Sequence, residues 1–127
     1  MKKEKVKVYS VDEIQRYISE HLPHWVYKDG WLVRHYRTYN WKSTLMVINT
    51  VGHMAEAAWH HPDLKASYGW VDVRLMTHTE KGITDKDFSL ARRIESVVCW
   101  RPSEEDVGLT GTPQGDLRFS YVKYDEE

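Results

Sequence analysis

Several large classes of protein are excluded by what this chain lacks. It has one cysteine, Cys99, in 127 residues, so neither an internal disulfide framework nor a multi-thiolate metal site can be built. No apolar run approaches the roughly 18 residues that a membrane-spanning helix needs. The start, Met1-Lys2-Lys3-Glu4-Lys5-Val6-Lys7-Val8, is charged and leads into no apolar stretch of the secretory kind, so a cytoplasmic protein is expected. Charge of one sign is lacking too: 18 Lys and Arg face 19 Asp and Glu, a formal net charge of −1. Nothing therefore supplies a basic field for nucleic acid or an anionic membrane, and neither is an expected partner.

What remains is ordinary in bulk and unusual in detail. The chain is 41% hydrophobic and 29% charged, as soluble globular domains are. Its length suits one domain that buries roughly two-thirds of its unfolded surface. Six Trp and eight Tyr make the core, and any pocket, ring-rich. Cys99 reads as a small buried hydrophobe on a helix.

The pattern divides the chain into a flexible, Lys-rich segment 1–9, a domain 10–100 and an extension 101–127. Ser10 suits a helix N-cap, with Asp12 and Glu13 in the first turn and Val11, Ile14, Tyr17, Ile18 and Leu22 as the apolar stripe. Pro23 ends that helix. Asp29-Gly30 between two aromatic and β-branched runs, 24–28 and 31–39, predicts a hairpin. In its second strand neither Trp31, Val33, His35, Arg37, Tyr39 nor Leu32, Arg34, Tyr36, Thr38 forms a cleanly apolar face, so the buried side is undecided.

Asn40 caps a long predicted helix over 41–59. Its stripe is Leu45, Ile48, Gly52, Ala55 and Trp59, flanked by Val47, Val51, Met54 and Ala58. Pro62 forces the chain out of it. Short and longer strands are predicted at 64–68 and 70–78. A turn follows at Lys81-Gly82, and Thr84 with Asp87 forms a capping box for a helix over 85–100 that Pro102 stops. Residues 101–115 read as a loop, and 116–124 alternate well enough for a further strand at a sheet edge. The order α-β-β-α-β-β-α favours an α+β fold with a four-stranded antiparallel sheet and three helices on one face.

The chemistry concentrates in Ala55-Glu56-Ala57-Ala58-Trp59-His60-His61-Pro62. His60 and His61 leave a helix, and His78 closes a strand that an antiparallel pairing would bring to the same sheet end. Imidazole is the side chain whose ordinary pKa places proton transfer near neutrality. Glu56 stands one turn before His60, where a carboxylate can orient an imidazole, and Asp87 is a second acid near the same mouth. Three other readings stay open: surface histidines without function, as for His21, His24 and His35; a pair that merely caps a helix; and zinc held by His53, His60, His61 and His78. No recognised metal-ligand spacing favours the last.

Glu56-x-x-x-His60-His61-Pro62, Tyr68, His78 and Asp87 resemble the signature of the pterin-4a-carbinolamine dehydratase family. So do Val71-x-Val73-x-Leu75-x-Thr77-His78, Gly82-Ile83-Thr84-x-x-Asp87 and Leu90-Ala91-x-x-Ile94-Glu95. The resemblance runs from about residue 10 to 100. It implies four antiparallel strands with three helices, assembly into homodimers or homotetramers, and dehydration of a 4a-hydroxytetrahydropterin substrate without metal or redox cofactor. It also implies that His60 and His78 are the acid/base pair, that His61 binds and orients the pterin, and that Glu56, Asp87 and Tyr68 contact substrate or support the imidazoles. A second use of this fold, as a catalytically inactive binding protein that dimerises a transcription factor or assists Rubisco assembly, is the alternative it implies. This chain departs from the family at Trp59, where Asp or Asn is usual. Tyr36-x-x-Tyr39-x-Trp41 replaces a Phe-based run, and residues 101–127 lie beyond the shortest members.

Overall fold

The computed structural model describes residues 5–124; the part of the flexible-segment expectation that concerns residues 1–4 lies outside them. Helix α1 spans Val11–His21. Ser10 opens it as read: its hydroxyl accepts the Glu13 N–H, and the Glu13 carboxylate accepts the Ser10 N–H, which satisfies two of the donors that a helix start exposes. Ile14, Ile18 and Leu22 are buried, but Val11, one turn early, is exposed.

Strands β1, Val26–Lys28, and β2, Trp31–Arg37, are joined by Asp29-Gly30, whose φ angles are 53° and 86°. That two-residue turn needs positive φ at both positions. Helix α2 spans Trp41–Ala58, with the Asn40 side chain accepting the Ser43 N–H. Strands β3, Asp63–Ser67, and β4, Trp70–Leu75, precede helix α3, Asp85–Val98. The sheet order is β1-β2-β4-β3, antiparallel throughout. The fold is the expected α+β arrangement, and the three helices close one core against one sheet face.

Which face of β2 is buried is settled by an ion pair. Leu32, Arg34, Tyr36 and Thr38 point inward, although Arg34 looks misplaced there. It is accommodated because Glu95 on α3 meets it. Arg34 Nε donates to Glu95 Oε1 at 2.8 Å and Nη2 to Oε2 at 3.0 Å. Trp25 Nε1 and the Tyr36 hydroxyl also donate to Oε1, at 2.9 and 2.7 Å. Burial would raise the Glu95 pKa, but Arg34's hydrogen bonds and charge, with Tyr36 and Trp25, outweigh it and hold the carboxyl at about 2. Beside it Cys99 is pushed up to about 12, first by burial and then by the Glu95 charge. It is an inert, partly covered thiol at the α3 C-terminus.

Three expectations need correction. The buried stripe of α2 runs through Val47, Val51, Met54 and Ala55, while Leu45 and Trp59 are exposed. Strand β4 stops at Leu75 because Met76–Gly82 turns over, with an isolated bridge between Thr77 and Gly82. Residues 116–124 do not form a strand. The N–H groups of Phe119 and Ser120 bond back to Asp116 and Leu117, a local turn that breaks the two-residue period. Only Val122 bridges to Thr38, with the Lys123 N–H donating to Arg37 O.

Candidate active site

The end of α2 delivers the histidine pair. Trp59 takes the left-handed conformation, φ 54° and ψ 47°, and the His60 N–H bonds back to Ala55 O at 3.1 Å. A left-handed residue closing a helix in this way reverses the chain, and Pro62 prevents any return to the helix. His60 is thereby folded under the helix end rather than projected into solvent. Its imidazole is only 13% exposed, and Nε2 lies 2.6 Å from Oδ1 of Asp87, which is fully buried.

Asp87 reaches that position as the third residue of α3. Its Oδ2 accepts the Thr84 N–H at 2.9 Å, the predicted capping box, and also the Thr77 hydroxyl at 2.7 Å. The Thr77 and Thr84 hydroxyls are themselves 2.7 Å apart. Since Thr77 gives its proton to the carboxylate, Thr84 donates to Thr77. A carboxylate only accepts, so His60 Nε2 carries the hydrogen and the neutral ring has its lone pair on Nδ1. The result is a single imidazole oriented by one buried carboxylate, with three donors converging on that carboxylate.

His61 takes the opposite environment. Its Nε2 lies 2.8 Å from Glu56 Oε1, with both side chains more than half exposed, and Trp59 meets its ring edge-on at 5.1 Å between centroids. His78 follows Thr77 in the turn after β4 and is exposed. Its ring stands 5.6 Å from Trp31, at 74°. Because β3 begins at Asp63, opposite Arg74 near the end of β4, the histidine pair and His78 come to one end of the sheet. Tyr68 does not. It lies at the other end of β3, where its carbonyl accepts the Thr44 hydroxyl. Among the described residues no three His, Cys, Asp or Glu side chains stand where they could hold a metal ion.

The sequence found Asp87 but not its support from Thr77, because a hydroxyl on a strand end carries no positional signal. Nor did it find the contact of Trp31 with His78. For the departure at Trp59 the structure supplies a backbone reason, its left-handed conformation. In the left-handed region Asn, Asp and Gly are tolerated and a bulky residue is strained, so Asp or Asn there satisfies the backbone. Trp59→Asn should therefore raise stability by about 0.5–1 kcal/mol. Urea unfolding checks this: the midpoint should rise with the slope unchanged, and a fall would show that the Trp59 ring outweighs the backbone strain.

Fold and site together define an α+β protein with an imidazole–carboxylate cluster at one end of a half-covered antiparallel sheet. A family model described as pterin 4 alpha carbinolamine dehydratase matches residues 7–97, and the chain belongs to that family. It is 40% identical over 93 residues to a protein of Aquifex aeolicus provisionally named pterin-4-alpha-carbinolamine dehydratase, covering 73% of this chain and 93% of that one. A protein of Metallosphaera sedula with the same provisional name is 35% identical over 88 residues, covering 69% and 91%. Among solved structures, one described as a transcriptional coactivator/pterin dehydratase from Brucella melitensis superposes with a TM-score of 0.66. It is 24% identical and covers 72% of this chain and 98% of that one; that likeness shows the fold.

Proposed function

We propose that this chain dehydrates a 4a-hydroxytetrahydropterin to the quinonoid dihydropterin by histidine acid/base catalysis. The observation that carries the reading is His60, nearly buried and aligned by the wholly buried Asp87, at the sheet end that also receives His61 and His78. In the reaction an acid protonates the 4a-hydroxyl, the C4a–O bond breaks with loss of water, and a base takes the N5 proton as the C4a–N5 double bond forms. No electrons leave the substrate, so the scheme calls on no metal or redox cofactor. With Nε2 turned to Asp87, Nδ1 is the reactive nitrogen of His60, and His60 and His78 form the acid/base pair. His61, braced by Glu56, binds and orients the pterin. Within one chain Tyr68 stands too far along the hairpin to touch a pterin at the histidine end.

His60→Ala and His78→Ala are each expected to cut the dehydration rate tenfold or more. Stopped-flow absorbance of a 4a-hydroxytetrahydropterin, at equal protein and neutral pH, measures it. Full rate in both variants would remove the roles assigned here, and no acceleration by the wild-type chain would remove the activity itself.

Two further parts of the reading rest on surface features. Association into a dimer or tetramer is supported by β3, an outer strand with every residue exposed, and by exposed Trp41, Leu45 and Met46 on α2. The alternative function, binding or assembling a partner protein, is favoured by Trp59, 75% exposed beside the site, and by Val107, Leu109, Leu117 and Phe119 exposed on the extension. A specific co-purifying protein together with undetectable pterin binding would establish it. Among the described residues no helix is long and apolar enough to cross a membrane.

A further inference from the structure

The sheet face turned away from the helices carries a cation that the dehydration itself does not use. On β4, Trp70, Asp72 and Arg74 lie on that face, alternating with buried Val71, Val73 and Leu75. The Arg74 guanidinium lies over the Trp31 ring, 4.5 Å from its centre, and Trp31 in turn meets His78 at 5.6 Å. Cation and imidazole are therefore no farther apart than the sum of those two distances, which a bicyclic pterin with a short side chain can span. Lys28, opposite Trp31 in the β1–β2 register, adds a second positive charge on the same face.

Neither nearby carboxylate takes the Arg74 charge. Asp72 is paired with His35. Among the described residues Arg74 forms no ion pair, Asp63 across the β3–β4 ladder included. A guanidinium already held against an indole loses little freedom on binding, and its fork of N–H groups matches phosphate or carboxylate oxygens.

We propose that Arg74, laid on Trp31, is a subsite for an anionic group on the pterin side chain, so that this chain prefers pterins carrying phosphate or carboxylate to neutral ones. The inference rests on the dehydratase reading and names the substrate class of the same site. Phosphate ester and carboxylate share the required chemistry, and the test separates them.

Tryptophan fluorescence of the full chain is titrated at low salt with three 7,8-dihydropterins. Their C6 chains are a neutral trihydroxypropyl group, its monophosphate, and the methylene-linked aminobenzoylglutamate of dihydrofolate. At least one anionic ligand should bind about tenfold tighter than the neutral one. Preference for the monophosphate alone identifies a phosphate ester, and preference for dihydrofolate alone a carboxylate. In Arg74→Gln the ratio should fall close to one. In Arg37→Gln, which removes an exposed charge at the far end of β2, it should persist. A ratio of one in the wild-type chain, or a ratio unchanged by Arg74→Gln, overturns the subsite. Turnover of a neutral 4a-hydroxytetrahydropterin is followed in parallel. Normal turnover without anion preference sinks the subsite alone, whereas no turnover and no binding of any pterin sinks both readings.

Discussion

Asp87→Asn is expected to lower the dehydration rate by roughly 100-fold or more, with the fold intact. The reason lies in how many acceptors the side chain offers. Asp87 uses both oxygens: Oδ1 for His60, and Oδ2 for the Thr84 N–H and the Thr77 hydroxyl. Asparagine has one oxygen, and the Thr84 N–H can only donate, so the amide oxygen must face Thr84. The amide NH2 then faces His60 Nε2, which has to become the acceptor. The hydrogen moves to Nδ1, and the nitrogen that served as reactive site is blocked. Stability should fall by only about 1 kcal/mol, since the cap contact survives. Initial rates and a thermal melt on the same sample separate the two effects. An Asp87→Asn variant with wild-type rate would show that the His60 tautomer is irrelevant and that Asp87 is only a helix cap.

Glu95→Ala is expected to destabilise the chain by about 3–5 kcal/mol, a large share of the 5–15 kcal/mol typical of a domain. The substitution removes both oxygens to which the Arg34 Nε and Nη2 donate, at a side chain only 4% exposed, and takes the acceptor from Trp25 and Tyr36 as well. Replacing both members, Arg34→Met with Glu95→Leu, should cost much less, because no charge is then left in the core. Denaturant unfolding of Glu95→Ala and of the double variant decides this. Equal losses for Glu95→Ala and the double variant would mean that packing, not charge, matters there.

The same carboxylate predicts a pH dependence. Its folded-state pKa, about 2, lies below the ordinary 4.5. Its contribution is therefore complete above about pH 4.5 and is lost as pH falls toward 2, amounting to at most about 3 kcal/mol. Glu13, a partly exposed carboxylate held low chiefly by its hydrogen bond from Lys7, titrates over the same range. The difference between wild type and Glu95→Gln isolates the buried group: the wild-type curve should fall more steeply between those two values.

Local sequence and tertiary structure divide the work at identifiable residues. The three helix starts at Ser10, Asn40 and Thr84, the Asp29-Gly30 hairpin and the exit at Pro62 were legible because each depends on hydrogen bonds or backbone angles within a few residues. Element order then implied the antiparallel sheet, and the spacing of Glu56, His60, His61, His78 and Asp87 pointed to the family. The buried side of β2 was not legible. Its alternation is ambiguous until Glu95, 61 residues from Arg34, comes within bonding distance. Residues 116–124 misled for the opposite reason, since alternation describes a strand only where a partner ladder exists to pair it.

Order along the chain thus pointed to the candidate site residues and to the segments that fold locally, because both readings rest on neighbours in sequence. Packing between distant segments is what shelters His60 and leaves His61 open, sets Thr77 against Asp87, holds Tyr68 apart and closes the helix at Trp59. These depend on which surfaces meet in space, and burial and hydrogen-bond partnership across distant segments leave no periodic trace in the order of residues.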